Sequence, residues 1–442
     1  MIWTIDMLRR RLVLLLLLLL VVALGVEILL RFRAVPHTHG PLSQQAYVWQ
    51  RAWTDPVRNA LEQHGQEFSR IVILAAQVSW EKRPTGESHP VLFKVRPDWD
   101  RLKPATEVGL AIRINEFHDR FDGPSAEFLA NLAAELCREA REHGIAPAEI
   151  QLDFDCPASK LAGYRLWVQR IKVAIAPTPV TITALPAWLD RRDFAVLAGE
   201  CPSYVLQVHS LERPAHFADA ATLCELSAAR LAIERAARMA VPFRVALPTY
   251  GYVLAFDSAG QYLGLDAEGP EHSWPEGTQK RWLGADAGAL ADFLRDMKVD
   301  RPIALSGIIW YRLPVESDQN NWRWPTLQAV MQGHRPAAAL AVSIIPGEAG
   351  VLEVVLRNSG DGEIRSPIDV TVEWTNAELV AHDPLNGYED TQGPPDEPRR
   401  SLRFRGNAQP DERLAPGDSK TIAWLRLDHD VPIHAQALAA NH

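Results

Sequence analysis

Short apolar runs separated by amphipathic helical stretches recur along this chain, and that alternation leaves few architectures open to it. The runs occupy 71–79, 109–115, 149–155, 180–185, 204–209, 243–250 and 303–311. Helical patterns lie between them. One begins at Ser125, carries Phe128, Leu129, Leu132, Leu136 and Ala140 along the chain and stops at Gly144, and others cover 161–174 and about 220–239. Strands that alternate with helices pair in parallel, because each helix returns the chain to the same end of the sheet. Seven such strands over roughly 240 residues, with 91–95 as the eighth, suit an α/β fold of the (β/α)8 TIM-barrel type better than a doubly wound sheet. A dinucleotide-binding reading also lacks its Gly-rich turn, since Gln77-Val78-Ser79-Trp80 closes the first run.

The two ends of the chain obey other patterns. Arg9, Arg10 and Arg11 precede an apolar run over 12–30 broken only by Glu27, and those nineteen residues at helical rise just span a hydrocarbon core. Residues 1–34 therefore read as an uncleaved signal anchor, a single-pass transmembrane helix of the bacterial inner membrane. The soluble domains would then lie on the periplasmic or extracellular side. A cleaved signal peptide and a secreted protein form the alternative. Residues 35–65, with Pro36, Gly40 and Pro41, read as a stalk containing a short helix, and 66–334 as the barrel. From 335 to 442 the chain shows alternating stretches at 352–356, 368–374 and 421–427, split by Asn358-Ser359-Gly360-Asp361 and Pro416-Gly417-Asp418. No helical pattern intervenes, so this part is an all-β sandwich of immunoglobulin or fibronectin type.

Composition narrows the function. A formal net charge of -9 leaves no basic stripe to displace counterions from phosphates, which excludes nucleic acid as the main partner. The 14 Trp supply flat apolar faces that suit a core or a sugar ring. Cys137, Cys156, Cys201 and Cys224 show neither CxxC nor Cys/His ligand spacing, so no metal or other cofactor is expected and their pairing is left open.

In a barrel the chemistry sits at the C-terminal ends of the strands. The run Glu149-Ile150-Gln151-Leu152-Asp153-Phe154-Asp155 alternates strictly. Its apolar members must meet the helices, which turns Asp153 and Asp155 into the barrel mouth. Two carboxylates in successive layers repel, a situation that raises one pKa and prepares an acid/base pair. A structural role is the bland alternative, and Arg113, on the polar face of 109–115 with Asn115, is its natural partner.

At this strand the chain resembles the chitinase-like (family 18) glycoside hydrolases, whose acidic strand has the form DxxDxDxE. Ala246-Leu247-Pro248-Thr249-Tyr250-Gly251-Tyr252 is similar to that family's strand ending in PxYG, and Ser306-Gly307-Ile308-Ile309-Trp310 to its last strand, where a Trp floors the sugar site. The combination also resembles a bacterial family of exported proteins described as a domain of unknown function. The departures are equally specific. With Asp153 and Asp155 on the last two aspartates, Pro157 replaces the catalytic Glu and Ile150 the first Asp, while Gln207-Val208-His209-Ser210 stands for the MxYD strand. The substrate-assisted mechanism therefore does not carry over.

A polar mouth remains. Asp153, Asp155 and Glu81 are the candidate catalytic groups, and Trp80, Arg113, Gln207, His209, Tyr250 and Trp310 the candidate substrate-binding ones. Trp188, Trp322 and Trp324 would extend a sugar platform or pack internally. The leading expectation is a diverged hydrolase acting on an envelope or extracellular polysaccharide or oligosaccharide. A glycan-binding protein that has lost its catalytic Glu comes next, and a scaffold whose sandwich docks a protein partner comes third.

Overall fold

The computed structural model describes residues 35–82, 88–105, 107–267, 272–365, 367–391, 400–406 and 413–439. The anchor expected at 1–34 lies outside the described residues, among which no helix is long and apolar enough to cross a membrane.

Eight parallel strands close into a barrel: β1 (Ser43–Val48), β2 (Arg70–Lys82), β3 (Val108–Ile114), β4 (Glu149–Phe154), β5 (Val180–Ala184), β6 (Tyr204–Gln207), β7 (Phe243–Pro248) and β8 (Leu305–Tyr311). Closure is made where β8 pairs with β1 and β1 with β2, both in parallel. Helices α1 (Asp55–His64), α2 (Gly123–Glu142), α3 (Leu161–Ile175), α4 (Arg192–Ala198), α5 (Leu226–Ala237), α6 (Ala287–Val299) and α7 (Trp324–Gln332) accompany the strands. Helix α2 shows why such segments start and stop where they do. The Asp122 carboxylate accepts the Ser125 backbone N–H at 2.9 Å, Pro124 sits in the first turn where its missing N–H costs nothing, and Gly144 takes φ +82° just past the end. Its buried face, with Ala126, Leu129, Ala133, Leu136 and Ala140, recurs at the helical period.

Residues 35–65 are not a stalk, because Ser43–Val48 is the first barrel strand and Asp55–His64 its helix. The strand carries no long apolar run: its inward residues Gln45 and Tyr47 are satisfied by partners across the barrel, Arg244 at 2.7 Å and Gln151. Nor is 91–95 the eighth strand. Ser88–Lys94 folds back antiparallel onto the outer half of β2, making a hairpin that projects beyond the barrel. Val91, Leu92 and Phe93 are consequently exposed.

The barrel floor is ionic. Glu149, 1% exposed, accepts two bonds from the Arg244 guanidinium at 2.8 and 2.7 Å and one from the Thr181 hydroxyl at 3.0 Å, and pairs with Arg70 at 3.1 Å. Burial pushes this carboxyl up, but Arg244 and Arg70 outweigh it and hold it below the ordinary carboxylate range. Gly109 leaves the carboxylate its room, since a Cβ there would come within 3.1 Å of the Glu149 side chain.

Between β7 and α6 the chain inserts a three-stranded antiparallel sheet of Gly251–Phe256, Tyr262–Asp266 and Gln279–Gly284. After α7, which ends on left-handed Gly333, comes the all-β module. It has two four-stranded antiparallel sheets, one of Leu340–Pro346, Leu352–Asn358, Ser419–Leu427 and Leu379–Pro384, the other of Tyr388–Asp390, Ser401–Gly406, Ile368–Trp374 and Ile433–Ala439. Val354, Val370, Val372, Leu402, Phe404 and Leu425 fill their common core. The module is fastened to the barrel: Arg413 donates to the Asn321 carbonyl at 2.7 Å, Thr326 to the Asp361 carbonyl at 2.6 Å, and the Arg365 guanidinium lies 3.6 Å from the centre of the Trp282 ring in the insert. The four cysteines are free, and burial pushes the thiols of Cys156, Cys201 and Cys224 up to about 12.

Breaking a buried ion cluster leaves an uncompensated charge. Glu149→Ala is therefore expected to lower unfolding stability by about 3–5 kcal/mol in urea titration, and a loss under about 1 kcal/mol would show that the floor does not depend on this carboxylate.

Candidate functional site

The alternation of β4 sets the site. Ile150, Leu152 and Phe154 are buried against the helices, while Glu149, Gln151, Asp153 and Asp155 share the inward parity and climb from floor to mouth. Asp153 uses both oxygens: one accepts the Thr183 hydroxyl at 2.7 Å, the other the Arg113 guanidinium at 2.6 Å. The same guanidinium reaches Asp155 at 3.0 Å through its other terminal nitrogen. The two carboxylates differ in access, with side-chain exposures of 7% for Asp153 and 37% for Asp155. Burial and the neighbouring Asp153 charge raise the pKa of Asp155, and Arg113 opposes that rise. Asp155 thus presents the more accessible carboxyl, its proton affinity raised, to the opening.

Opposite this ion triad stands a group of rings centred on Tyr311. Its ring centre lies 5.8 Å from Tyr47, 5.4 Å from Trp49, 5.5 Å from Tyr250 and 5.4 Å from His209. His209 is buried and shares a hydrogen bond with the Tyr250 hydroxyl at 3.3 Å, and burial lowers its pKa to about 4. It is a neutral imidazole at pH 7. Gln207 donates to the His209 carbonyl at 3.3 Å. Beside the triad, Gln77 of β2, the register partner of Arg113, donates to Asn115 at 3.2 Å and accepts from Arg51 at 2.6 Å. The strand end carrying Tyr311 is held from behind. Arg312 bonds the buried Asp318 at 3.0 and 2.5 Å, and Thr249 accepts from the Arg312 N–H at 2.8 Å while donating to its carbonyl at 2.6 Å.

Asp153, Asp155, Arg113, Gln207, His209 and Tyr250 therefore converge, and three other sequence candidates do not. Trp310 has the outward parity of β8: it is fully buried, donates to Gln44 at 2.8 Å and faces Trp322 at 6.2 Å, so Tyr311 takes the inward place expected of it. Trp80 likewise points outward from β2, into rings of Phe117, Phe128 and Trp167. Glu81 is exposed on the projecting hairpin opposite His89, four residues and roughly 13 Å beyond Gln77 along the strand. Trp188 is buried and bonds the Cys156 carbonyl at 3.0 Å, Trp322 bonds the Ala285 carbonyl at 3.3 Å, and Trp324 stacks on His64 at 3.8 Å. Trp188 and Trp322 are buried in the packing, while Trp324 is half-buried and lines a cavity with His64 and Arg323, apart from the barrel mouth. Sequence reasoning missed Tyr47, Trp49, Tyr311, Gln77 and Thr183. Because barrel strands are buried on both faces, β8 carries no polar alternation that would have marked Tyr311 as inward. Among the described residues no group of three or more His, Cys, Asp or Glu is placed to hold a metal ion.

Residues 108–316, from β3 to the loop after β8, match the family model described as "Domain of unknown function (DUF3142)". Among solved structures the chain is similar to the Bacillus cereus spore cortex-lytic enzyme SleL, with 11% identity, 67% of this chain and 75% of that one covered and a TM-score of 0.46. It is also similar to a chitinase from Chromobacterium violaceum, with 12% identity, 66% and 98% covered and a TM-score of 0.44. A third is the chitinase ChiB from the chitin utilization locus of Flavobacterium johnsoniae, with 9% identity, 66% and 94% covered and a TM-score of 0.41. No curated protein matches the chain.

The pKa of His209 sets a pH dependence. With about 4 in the folded state against 6.5 when unfolded, the unfolded chain binds the extra proton between those values. Stability should therefore fall as pH drops from 6.5 towards 4, by at most about 3 kcal/mol. Denaturation midpoints across that window should show a slope that His209→Gln makes shallower, and an imidazole resonance titrating near 6.5 would contradict the buried neutral state.

Proposed function

We propose that the barrel mouth binds a polysaccharide or oligosaccharide and holds it without cleaving it. The observation that carries this reading is the Arg113 guanidinium bonded to both mouth carboxylates at 2.6 and 3.0 Å. Hydrolysis by a carboxylate pair requires a protonated acid and a second carboxylate free to act as nucleophile or base. Asp153 has both oxygens engaged, Glu81 stands on the hairpin away from it, and Pro157 occupies the place of the Glu in the resembled motif. Asp155, Gln207 and the His209–Tyr250 pair supply donors and acceptors for hydroxyls. Tyr311 and Trp49, both half-buried, supply flat apolar edges for a sugar ring. In the same reading, residues 1–34 anchor the protein in the inner membrane with the barrel on the periplasmic or extracellular side. The C-terminal module, of immunoglobulin or fibronectin type, braces the mouth-forming loops and offers a surface to a protein partner.

A hydrolytic second reading has one observation in its favour, the raised proton affinity of the accessible Asp155, which suits a general acid. One experiment separates the two. A glycan array probed with wild type and Asp155→Asn, with mass detection of products, is expected to show saturable binding by wild type, about tenfold weaker binding by the variant, and no product from either. Cleavage by wild type that the variant loses would replace the binding reading with the hydrolase. Silence on every glycan would favour a scaffold.

A further inference from the structure

We infer that a cavity on the outer side of β2 is a second subsite for the same glycan, so that the ligand is a chain long enough to lie across both this cavity and the barrel mouth. The inference rests on the reading of the mouth given above. The cavity measures about 680 Å³, within the range of small-ligand sites. Trp80, Phe117 and Phe128 wall it, and Asp119, Arg120 and Asp122 stand at its edge.

The Trp80 ring is held before any ligand arrives. It stacks on Trp167 with 5.6 Å between centres and 11° between planes, and Trp167 is itself fully buried with its indole N–H on the Ser125 hydroxyl at 3.0 Å. A ring already fixed in place loses little entropy when a ligand stacks on it, which favours binding. The edge chemistry selects the ligand class. Asp122 already caps α2 through the Ser125 N–H, so Asp119 and Arg120 are the charged groups left to meet a ligand, and one carboxylate beside one guanidinium suits neutral hydroxyls better than a polyanion.

The cavity and the mouth adjoin through two segments. On β2, Gln77 belongs to the mouth and Trp80, three residues and roughly 10 Å on, to the cavity. After β3, Asn115 bonds Gln77 at 3.2 Å and Phe117, two residues later, lines the cavity. A glycan leaving the mouth over the 115–117 turn would therefore enter the cavity against Trp80. Two linked contacts on one chain make the second an intramolecular event, so affinity should climb with chain length.

The test measures affinities of the full chain for chitin and cellulose oligosaccharides from disaccharide to hexasaccharide, using wild type, Trp80→Ala, Arg120→Ala and Asp155→Asn. Wild type should gain at least about tenfold from shortest to longest. Trp80→Ala and Arg120→Ala should flatten that gain while leaving disaccharide affinity unchanged, and Asp155→Asn should weaken every length alike. Arg120→Ala leaves the ring packing in place and keeps the test decisive if Trp80→Ala fails to fold. Binding with a length dependence that neither cavity variant alters overturns the second subsite alone, and a wild type that binds neither series overturns the mouth and the cavity together.

Discussion

A carboxylate sealed inside a barrel must be met by charge, and the Glu149–Arg244 pair is the constraint from which the rest of this interior is arranged. Arg244 comes from β7, Arg70 from β2, Thr181 from β5 and Gln45, through Arg244, from β1, so one acidic side chain on β4 gathers four other strands. Once Glu149 is inward, the pleat commits Gln151, Asp153 and Asp155 to the same side, and each layer has to find partners in turn. Tyr47 takes the Gln151 amide, and Thr183 and Arg113 take Asp153. The satisfaction is incomplete: Arg244 Nε and Gln151 Oε1 are buried without a hydrogen-bond partner among the described residues. That residual cost sits beneath a mouth whose polar character it makes possible.

Arg113 changes what the two aspartates mean. Left to each other in a half-buried mouth, they would share a proton in the manner of an acid/base dyad. With a guanidinium between them, Asp153 is bonded on both oxygens and is the less accessible, while burial and the Asp153 charge still raise the pKa of Asp155. The asymmetry arises from neighbours on β3 and β5 and from depth in the barrel, not from the aspartates themselves. A tyrosine-rich wall then faces an ion triad across the opening, a combination suited to ligands that are apolar on one face and hydroxylated at the edge.

How much of this was legible depended on whether a residue's environment was written in its own strand. The β4 alternation is explicit in the residues, and it places Asp153 and Asp155 correctly without reference to any other segment. Arg113 was also legible as their partner, because β3 precedes β4 in the pattern and carries a single cation at the matching height. β1 was not, since Gln45 and Tyr47 earn their burial from partners 199 and 104 residues away, and no local apolar run announces them. Trp310 was misplaced because Ile308 to Tyr311 is apolar throughout, so the inward member of the run is decided by pairing with β7 and β1 rather than by periodicity. Glu81 was misplaced for a geometric reason: β2 runs on past the barrel rim, and a residue four positions above the mouth no longer belongs to it.

The same overrun of β2 leaves the sheet with a free border. Ser88–Lys94 is the last strand of the nine-stranded sheet, and among the described residues nothing pairs with its outer side. A border of open backbone groups next to exposed Val91, Leu92 and Phe93 is a template on which a strand from another molecule could add, the usual route to unwanted association. Two features blunt it. Pro90 removes one amide donor from the border, and Lys94, bonded to Glu135 and Glu139 at 2.8 and 2.5 Å, places a charge at its end. A seven-residue strand that contributes nothing to closing the barrel thus marks where strand addition from a second molecule could begin.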